Sequence, residues 1–287
     1  MIKEKKWLDK NVDDVSGKTV LITGGTSGIG LDAAISLSYK GASIIIAARN
    51  KEKGEAALAK IASETGNSNN YFYQYDQGDK ESIASLVEAL KDTKLDVIVL
   101  NAGVYYPKPG SCNNEDIPMT TAINTVGTYR LWMGLLKDHK DSRFIFTNSV
   151  ANGKPEHGDY SQYFKKDNKK RTRQYAASKR AAMNMYSLAI DMGLDCSMTH
   201  PGVCGTDIIR DHGPLFRKLG NGFLYIFVHK PPRACLGIVK AAATKDTHLY
   251  LVPRGIYGIT GYPKAVKLPN KSHKGKESLK TLLDSYL

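Results

Sequence analysis

Seven short apolar runs, spaced by helical-looking segments, constrain this chain more than any other feature. They are Thr19 to Ile22, Ser43 to Ala48, Tyr71 to Tyr75, Val97 to Leu100, Arg143 to Thr147, Asp195 to Thr199 and His248 to Val252. Several are continuous rather than alternating, the pattern of strands covered on both faces. Helical segments lie near Gly28 to Lys40, Lys51 to Thr65, Lys80 to Lys91, Ile117 to Leu136, Thr172 to Met192 and Pro231 to Thr244. This rhythm predicts an α/β fold with a doubly wound parallel sheet of about seven strands and right-handed crossovers. No internal repeat or interdomain linker interrupts it, so the reading is one domain over 1–287 with a core at about 17–252.

Two stretches break the rhythm. Ala151 to Lys170 is polar and basic; Gly205 to Lys230 carries the apolar patch Phe223 to Val228, too short to span a bilayer. Both follow strand candidates, and ligands of open α/β sheets lie outside the carboxyl ends of the strands. Both are therefore expected to overhang a site, with 205–230 as a lid. Residues 262–287, rich in lysine and proline, read as a C-terminal extension.

Lysine and arginine number 41 against 28 acidic residues, a net charge of +13. Such a balance raises nucleic acid or an anionic surface as a partner. The excess gathers in Lys165 to Arg173 and Lys264 to Lys280, which lack both interleaved aromatics and a recognisable reading helix. Solvated surface is the reading, and no nucleic acid is expected. The first eighteen residues lack the apolar core of a signal peptide, and no run approaches the roughly 18 apolar residues of a membrane span. The expected location is cytoplasmic. Cys112, Cys196, Cys204 and Cys235 form no C-x-x-C pair and no histidine stands at zinc-finger spacing from them, so neither a disulfide framework nor a metal site is expected.

The first strand candidate runs straight into Thr23-Gly24-Gly25-Thr26-Ser27-Gly28-Ile29-Gly30, which opens a helix. Backbone N–H groups at a helix N-terminus are unsatisfied and carry the positive end of the macrodipole, so a phosphate docks there where no side chain blocks it. The spacing is G-x-x-x-G-x-G rather than G-x-G-x-x-G, so the turn alone supports a nucleotide and no more. Further along, Tyr175 and Lys179 stand one helical turn apart in Tyr175-Ala176-Ala177-Ser178-Lys179. A nearby ammonium favours a phenolate, whose ordinary pKa is about 10, and brings it towards proton exchange with an alcohol or carbonyl oxygen. Ser149 closes the run Phe144 to Ser149, where its hydroxyl is placed to donate to the same oxygen. Asn101-Ala102-Gly103 closes another strand, and Asn124-Thr125-Val126-Gly127 lies in the helix that follows.

Taken together these motifs resemble the short-chain dehydrogenase/reductase family, from about Gly17 to Thr206, with weaker likeness to about Tyr262. The resemblance implies a Rossmann-type fold and hydride transfer between a nicotinamide and a carbonyl or alcohol. It implies Tyr175 as general acid or base, Ser149 polarising the substrate oxygen, and Lys179 lowering the Tyr175 pKa while holding the nicotinamide ribose. Asn124 matches the asparagine that holds a water in the proton relay. For the cofactor it implies Gly24, Thr26, Ser27, Gly28, Ile29 and Gly30 of the turn, Asp76 and Gln77 after the third strand, and Asn101, Ala102 and Gly103. Tyr175 and Lys179 join them, with Pro201, Gly202, Val203 and Thr206 flanking the nicotinamide. Arg49, ending the second strand where an acid would grip an NAD ribose, suits a 2'-phosphate, so NADP(H) is the expected cofactor. The gap of 26 from Ser149 to Tyr175 resembles the retinol dehydrogenase, WW-domain oxidoreductase and protochlorophyllide reductase branch. That points to bulky apolar carbonyl substrates, whereas the basic insert Phe164 to Lys170 equally suits an acidic one; both stay open. Family members pair through the helices carrying Asn124 and Tyr175, which implies a homodimer or homotetramer. The rival functional readings are a regulatory or sensor protein that binds NADPH without turnover, and an epimerase or dehydratase on the same fold.

Overall fold

The computed structural model describes residues 2–105, 107–152, 159–165, 171–202, 231–255, 258–269 and 273–287. The lid reading over 205–230, with Cys204, and the lysines 166, 169 and 170 of the insert fall outside the described residues.

Eight strands form one sheet: β1 Thr19–Thr23, β2 Ser43–Ala48, β3 Asn70–Gln74, β4 Val97–Leu100, β5 Arg143–Thr147, β6 Cys196–Thr199, β7 Tyr250–Pro253 and β8 Pro263–Val266. Their order is β3-β2-β1-β4-β5-β6-β7-β8, the first seven parallel and β8 antiparallel to β7. The seven expected strands are all present, each within two residues of its predicted start. The eighth escaped because it is a four-residue edge strand that opens on Pro263 and exposes Lys264, a pattern no apolar-run search detects.

Helices cover both faces: α1 Lys5–Asn11, α2 Gly28–Tyr39, α3 Lys51–Thr65, α4 Lys80–Leu90, α5 Met119–Thr121, α6 Thr128–Leu136, α7 Arg171–Asp191, α8 Pro231–Ala234, α9 Leu236–Ala243 and α10 Lys276–Asp284. A π-helical turn, Ala122–Gly127, joins α5 to α6. Because alternate strand residues point to opposite faces, the continuous apolar strands feed two cores. Leu21, Phe144 and Phe146 pack under α4, α6, α7 and α10, with Trp132 and Tyr186 fully buried. Val20, Ile22 and Ile145 pack under α1, α2, α3 and α9. β4 and β5 are buried along their whole length, whereas edge strand β3 leaves Tyr71 and Gln74 exposed. No described helix is long and apolar enough to cross a membrane.

Candidate active site

The carboxyl end of β1 is tied to that of β4. Thr23 Oγ1 accepts from the N–H groups of Asn101 and Ala102, both at 3.0 Å, and Asn101 Nδ2 donates to Thr23 O at 2.9 Å. Between these strand ends the turn enters α2, whose N-cap Ser27 makes no side-chain cap and whose first turn holds no acid. The N–H groups there are thus left for an outside anion. Gly30 is required by close approach: a Cβ there would stand 2.5 Å from Gly24 O and 2.8 Å from Asn101 Nδ2.

Above this turn lies a cleft of about 260 Å³. It is lined by Gly24, Thr26, Ser27, Gly28, Ile29 and Gly30, by Arg49, Asp76 and Gln77, and by Asn101, Ala102 and Gly103, which are all the cofactor positions predicted from the first four strands. Ala47, Ala48, Tyr75, Val104 and Ile123 also line it and were not foreseen. Their signal is positional: each lies within one residue of a strand end or neighbours a predicted residue. Arg49 is exposed one residue beyond β2, and no carboxylate among the described residues pairs with its guanidinium. The Gln77 side chain is committed inward, donating to Ile123 O at 2.7 Å and Thr128 Oγ1 at 3.0 Å and accepting from Tyr75 OH at 3.0 Å.

Tyr175 and Lys179 of α7, and Asn124, are not among the residues that line this cleft; Gly103 is the lining residue that adjoins them. A Cβ on Gly103 would stand 3.2 Å from Asn124 Oδ1 and 3.8 Å from Lys179 Nζ, so the β4 end, the π turn and α7 converge there. The Asn124 amide accepts from Val104 N–H and donates to Val104 O, each at 2.8 Å, and donates to Ser178 Oγ at 3.1 Å. Ser178 Oγ in turn donates to Tyr175 O at 2.8 Å. Lys179 is buried and donates to Thr147 O at 3.1 Å, with its ammonium 5.7 Å from the centre of the Tyr175 ring. Burial pulls its pKa down to about 8. Tyr105, unforeseen, sets its ring edge-on to Tyr175 at 4.5 Å. Ser149 lies two residues past β5, whose last residue is the one Lys179 touches, and its Oγ accepts from Ala151 N–H at 3.2 Å. Gly202 is buried beside half-buried Pro201, and its N–H donates to His200 Nδ1 at 3.1 Å. Val203 and Thr206 lie outside the described residues.

The sequence profile of the short chain dehydrogenases matches residues 18–214. The chain belongs to that family. Among curated relatives, dehydrogenase/reductase SDR family member 13 of Bos taurus is 26% identical over 221 residues, covering 71% of this chain and 56% of that protein. Human retinol dehydrogenase 13 is 29% identical over 235 residues, covering 76% and 69%. This short-chain dehydrogenase sits in the retinol dehydrogenase-like branch. Among solved structures, the alcohol dehydrogenase of the archaeon Thermococcus sibiricus, complexed with 5-hydroxy-NADP, superimposes with a TM-score of 0.65 at 19% identity, over 84% of this chain and 97% of its own. That likeness shows the shared fold. The chain spans little more than half the length of the Bos taurus relative; members of the family are oxidoreductases that use nicotinamide cofactors, and the cradle at Gly30 and the uncapped start of α2 fit such a cofactor's phosphates.

Proposed function

We propose that the chain is one NADP(H)-binding domain that interconverts a small-molecule carbonyl compound and its alcohol, with Tyr175 as proton donor and acceptor. One observation carries this reading: Lys179 is a buried lysine without a carboxylate partner among the described residues, held one helical turn from a tyrosine. A structural lysine would seek an acid or the solvent; this one directs its charge at a phenol, which stabilises the phenolate. When bound, the nicotinamide supplies or takes up the hydride.

The chain's own residues do the rest. The N-terminus of α2 and the glycine turn hold the pyrophosphate, and Arg49 meets a 2'-phosphate with a charge-assisted fork. Ser149 already accepts from Ala151, which leaves its proton for the substrate oxygen that Tyr175 also faces. Asn124 is a positioning residue, fixing the β4 end to Ser178 and, through the Tyr175 carbonyl, the pitch of the catalytic turn. The test is NADPH oxidation against a panel of aldehydes, ketones, quinones and retinoids. Tyr175→Phe is expected to bind NADPH as wild type does while losing at least a hundredfold in kcat. Full activity in that variant removes Tyr175 from the chemistry, and tight NADPH binding without turnover in the wild type favours the sensor reading instead.

A further inference from the structure

Three arginines are buried among the described residues, Arg130, Arg143 and Arg180, each 6 or 7% exposed. Two are neutralised in the ordinary way. Arg130 grips both carboxylate oxygens of Glu115, at 2.5 and 2.6 Å, and donates from Nε to Tyr286 O. Arg143 holds Asp195 and donates to the carbonyls of Ala241, Thr244 and Lys245. Arg180 has no such partner. Its one hydrogen bond runs from Nη1 to the sulfur of Met183 at 3.4 Å, and neither Nε nor Nη2 meets a carboxylate or carbonyl of the described residues. A thioether is a weak acceptor, and a buried unpaired guanidinium is strongly disfavoured.

Its surroundings offer hydroxyls rather than acids. Tyr160, in the stretch before α7, and Tyr250, at the start of β7, both lie within range of the Arg180 charge, which favours their ionised forms while burial opposes them. Tyr160 donates to Asn184 Oδ1, one helical turn beyond Arg180, at 2.5 Å. Tyr250 pairs with Met198 across the sheet, and its ring lies 5.9 Å from that of His200. Burial pulls His200 down to about 4, so it is neutral at pH 7 and adds no negative charge. Lys179, the neighbour in sequence, is a second cation. Buried positive charge therefore gathers here with no acid among the described residues to answer it.

The location is next to the proposed chemistry. Arg180 follows Lys179 in α7, and Tyr250 stands opposite Met198, one residue before the end of β6, so the pair lies near the carboxyl end of β6, where ligands of such sheets lie. A planar guanidinium with free Nε and Nη2 matches a carboxylate in two parallel hydrogen bonds, and a phenol hydroxyl adds a third donor. We propose that Arg180, with Tyr250, is a carboxylate-recognising subsite beside the reaction centre, and that the substrate is an aldehyde, ketone or alcohol that also carries a carboxylate. This rests on the oxidoreductase reading above, and it decides between the two substrate classes that the sequence leaves open.

The test compares 4-carboxybenzaldehyde with its uncharged methyl ester, methyl 4-formylbenzoate, as substrates with NADPH. In the wild type the acid is expected to exceed the ester at least tenfold in kcat/KM, mainly through KM. In Arg180→Met that ratio collapses towards one, and Arg180→Lys recovers part of it. Equal rates for acid and ester in the wild type overturn the subsite and leave the oxidoreductase reading standing. A turnover-independent arm separates the two: 4-(hydroxymethyl)benzoate is expected to raise the melting temperature of the NADPH-loaded wild type, and 4-(hydroxymethyl)benzamide is not. That shift without reduction of either aldehyde keeps the subsite and removes the reductase. No shift from the acid, or an equal one in Arg180→Met, overturns the subsite.

Discussion

Burial favours the neutral form of Lys179, pulling its pKa from 10.5 to about 8, and among the described residues a single carbonyl oxygen, that of Thr147, answers its charge. Two consequences follow from that direction. For stability, a lysine whose pKa is depressed on folding costs most when charged in both states, below pH 8. The cost is relieved as pH rises from about 8 towards 10.5, where the unfolded chain holds more protons. For activity the sign is opposite. Alcohol oxidation needs a deprotonated Tyr175, so the rate climbs with pH, until loss of the Lys179 charge removes the field favouring the phenolate. The kcat/KM profile for oxidation is expected to turn over near pH 8, and one still rising at pH 9.5 excludes this role for the lysine. Oxidation is the informative direction, because reduction consumes a proton and slows with pH regardless. Arg49 carries the second residue-scale prediction. It is exposed at the cleft and free of acids among the described residues, so its contribution scales with the phosphate it meets. A hydrogen bond to a charged group contributes roughly 1.5–3 kcal/mol, so Arg49→Asp is expected to shift the ratio of kcat/KM for NADPH over NADH by about tenfold or more. An unchanged ratio assigns the 2'-phosphate elsewhere.

Among the elements, the π turn Ala122–Gly127 does the most to shape the site. It inserts an extra residue into the α5–α6 helix where Asn124 faces Val104, and its last residue lies against β3's exit. A Cβ on Gly127 would stand 1.9 Å from Gln77 O, so the turn and the Asp76-Gln77 segment must approach as bare backbones. Gly127→Ala is expected to cost about 1–3 kcal/mol in denaturant unfolding, and to lower kcat by displacing Asn124. Wild-type stability in that variant would show that the segment yields freely. The π turn also marks where sequence reading stops. Strands were legible because buried parallel strands are continuous apolar runs, and the glycine turn because its spacing reflects a contact that forbids a side chain. Ile117 to Leu136 reads as one helix in the sequence, since a single π turn barely disturbs apolar periodicity. Helices α1 and α10 were missed because each is short and lysine-rich, with only Leu8 buried in one and Leu279 and Leu283 in the other. Gln77 and Asn124 were picked out by motif, but their inward hydrogen bonds join residues that only the folded chain brings together. The isolation of Arg180 is equally tertiary: nothing local separates it from the paired Arg130 and Arg143.

At the scale of the whole molecule, the C-terminal segment closes over one flank of the sheet. Leu279 and Leu283 are fully buried in the core shared with α6 and α7, and Tyr129 donates to Asp284 at 2.5 Å. Tyr286 gives its carbonyl to Arg130 and its ring to Phe164, with centroids 5.2 Å apart. Ser187 meets His273 Nδ1 at 2.7 Å, and Asn184 joins Tyr160 on one side to Lys274 O on the other. As a result α7 is buried from Ala177 to Ala189 within a single chain. The same contacts brace Tyr160 to Phe164, part of the 151–170 stretch expected to overhang the substrate, and none of them involves a residue that lines the cofactor cleft. Leu283→Ala removes a fully buried leucine and is expected to cost about 2–5 kcal/mol, read by denaturant unfolding. Tyr286→Ala is expected to cost less but to raise KM for the carbonyl substrate severalfold, because it releases Phe164, while the Kd for NADPH stays within twofold. The alternative is a tail that only packs: both variants would then lose stability with substrate KM unchanged, and the brace would have no part in recognition.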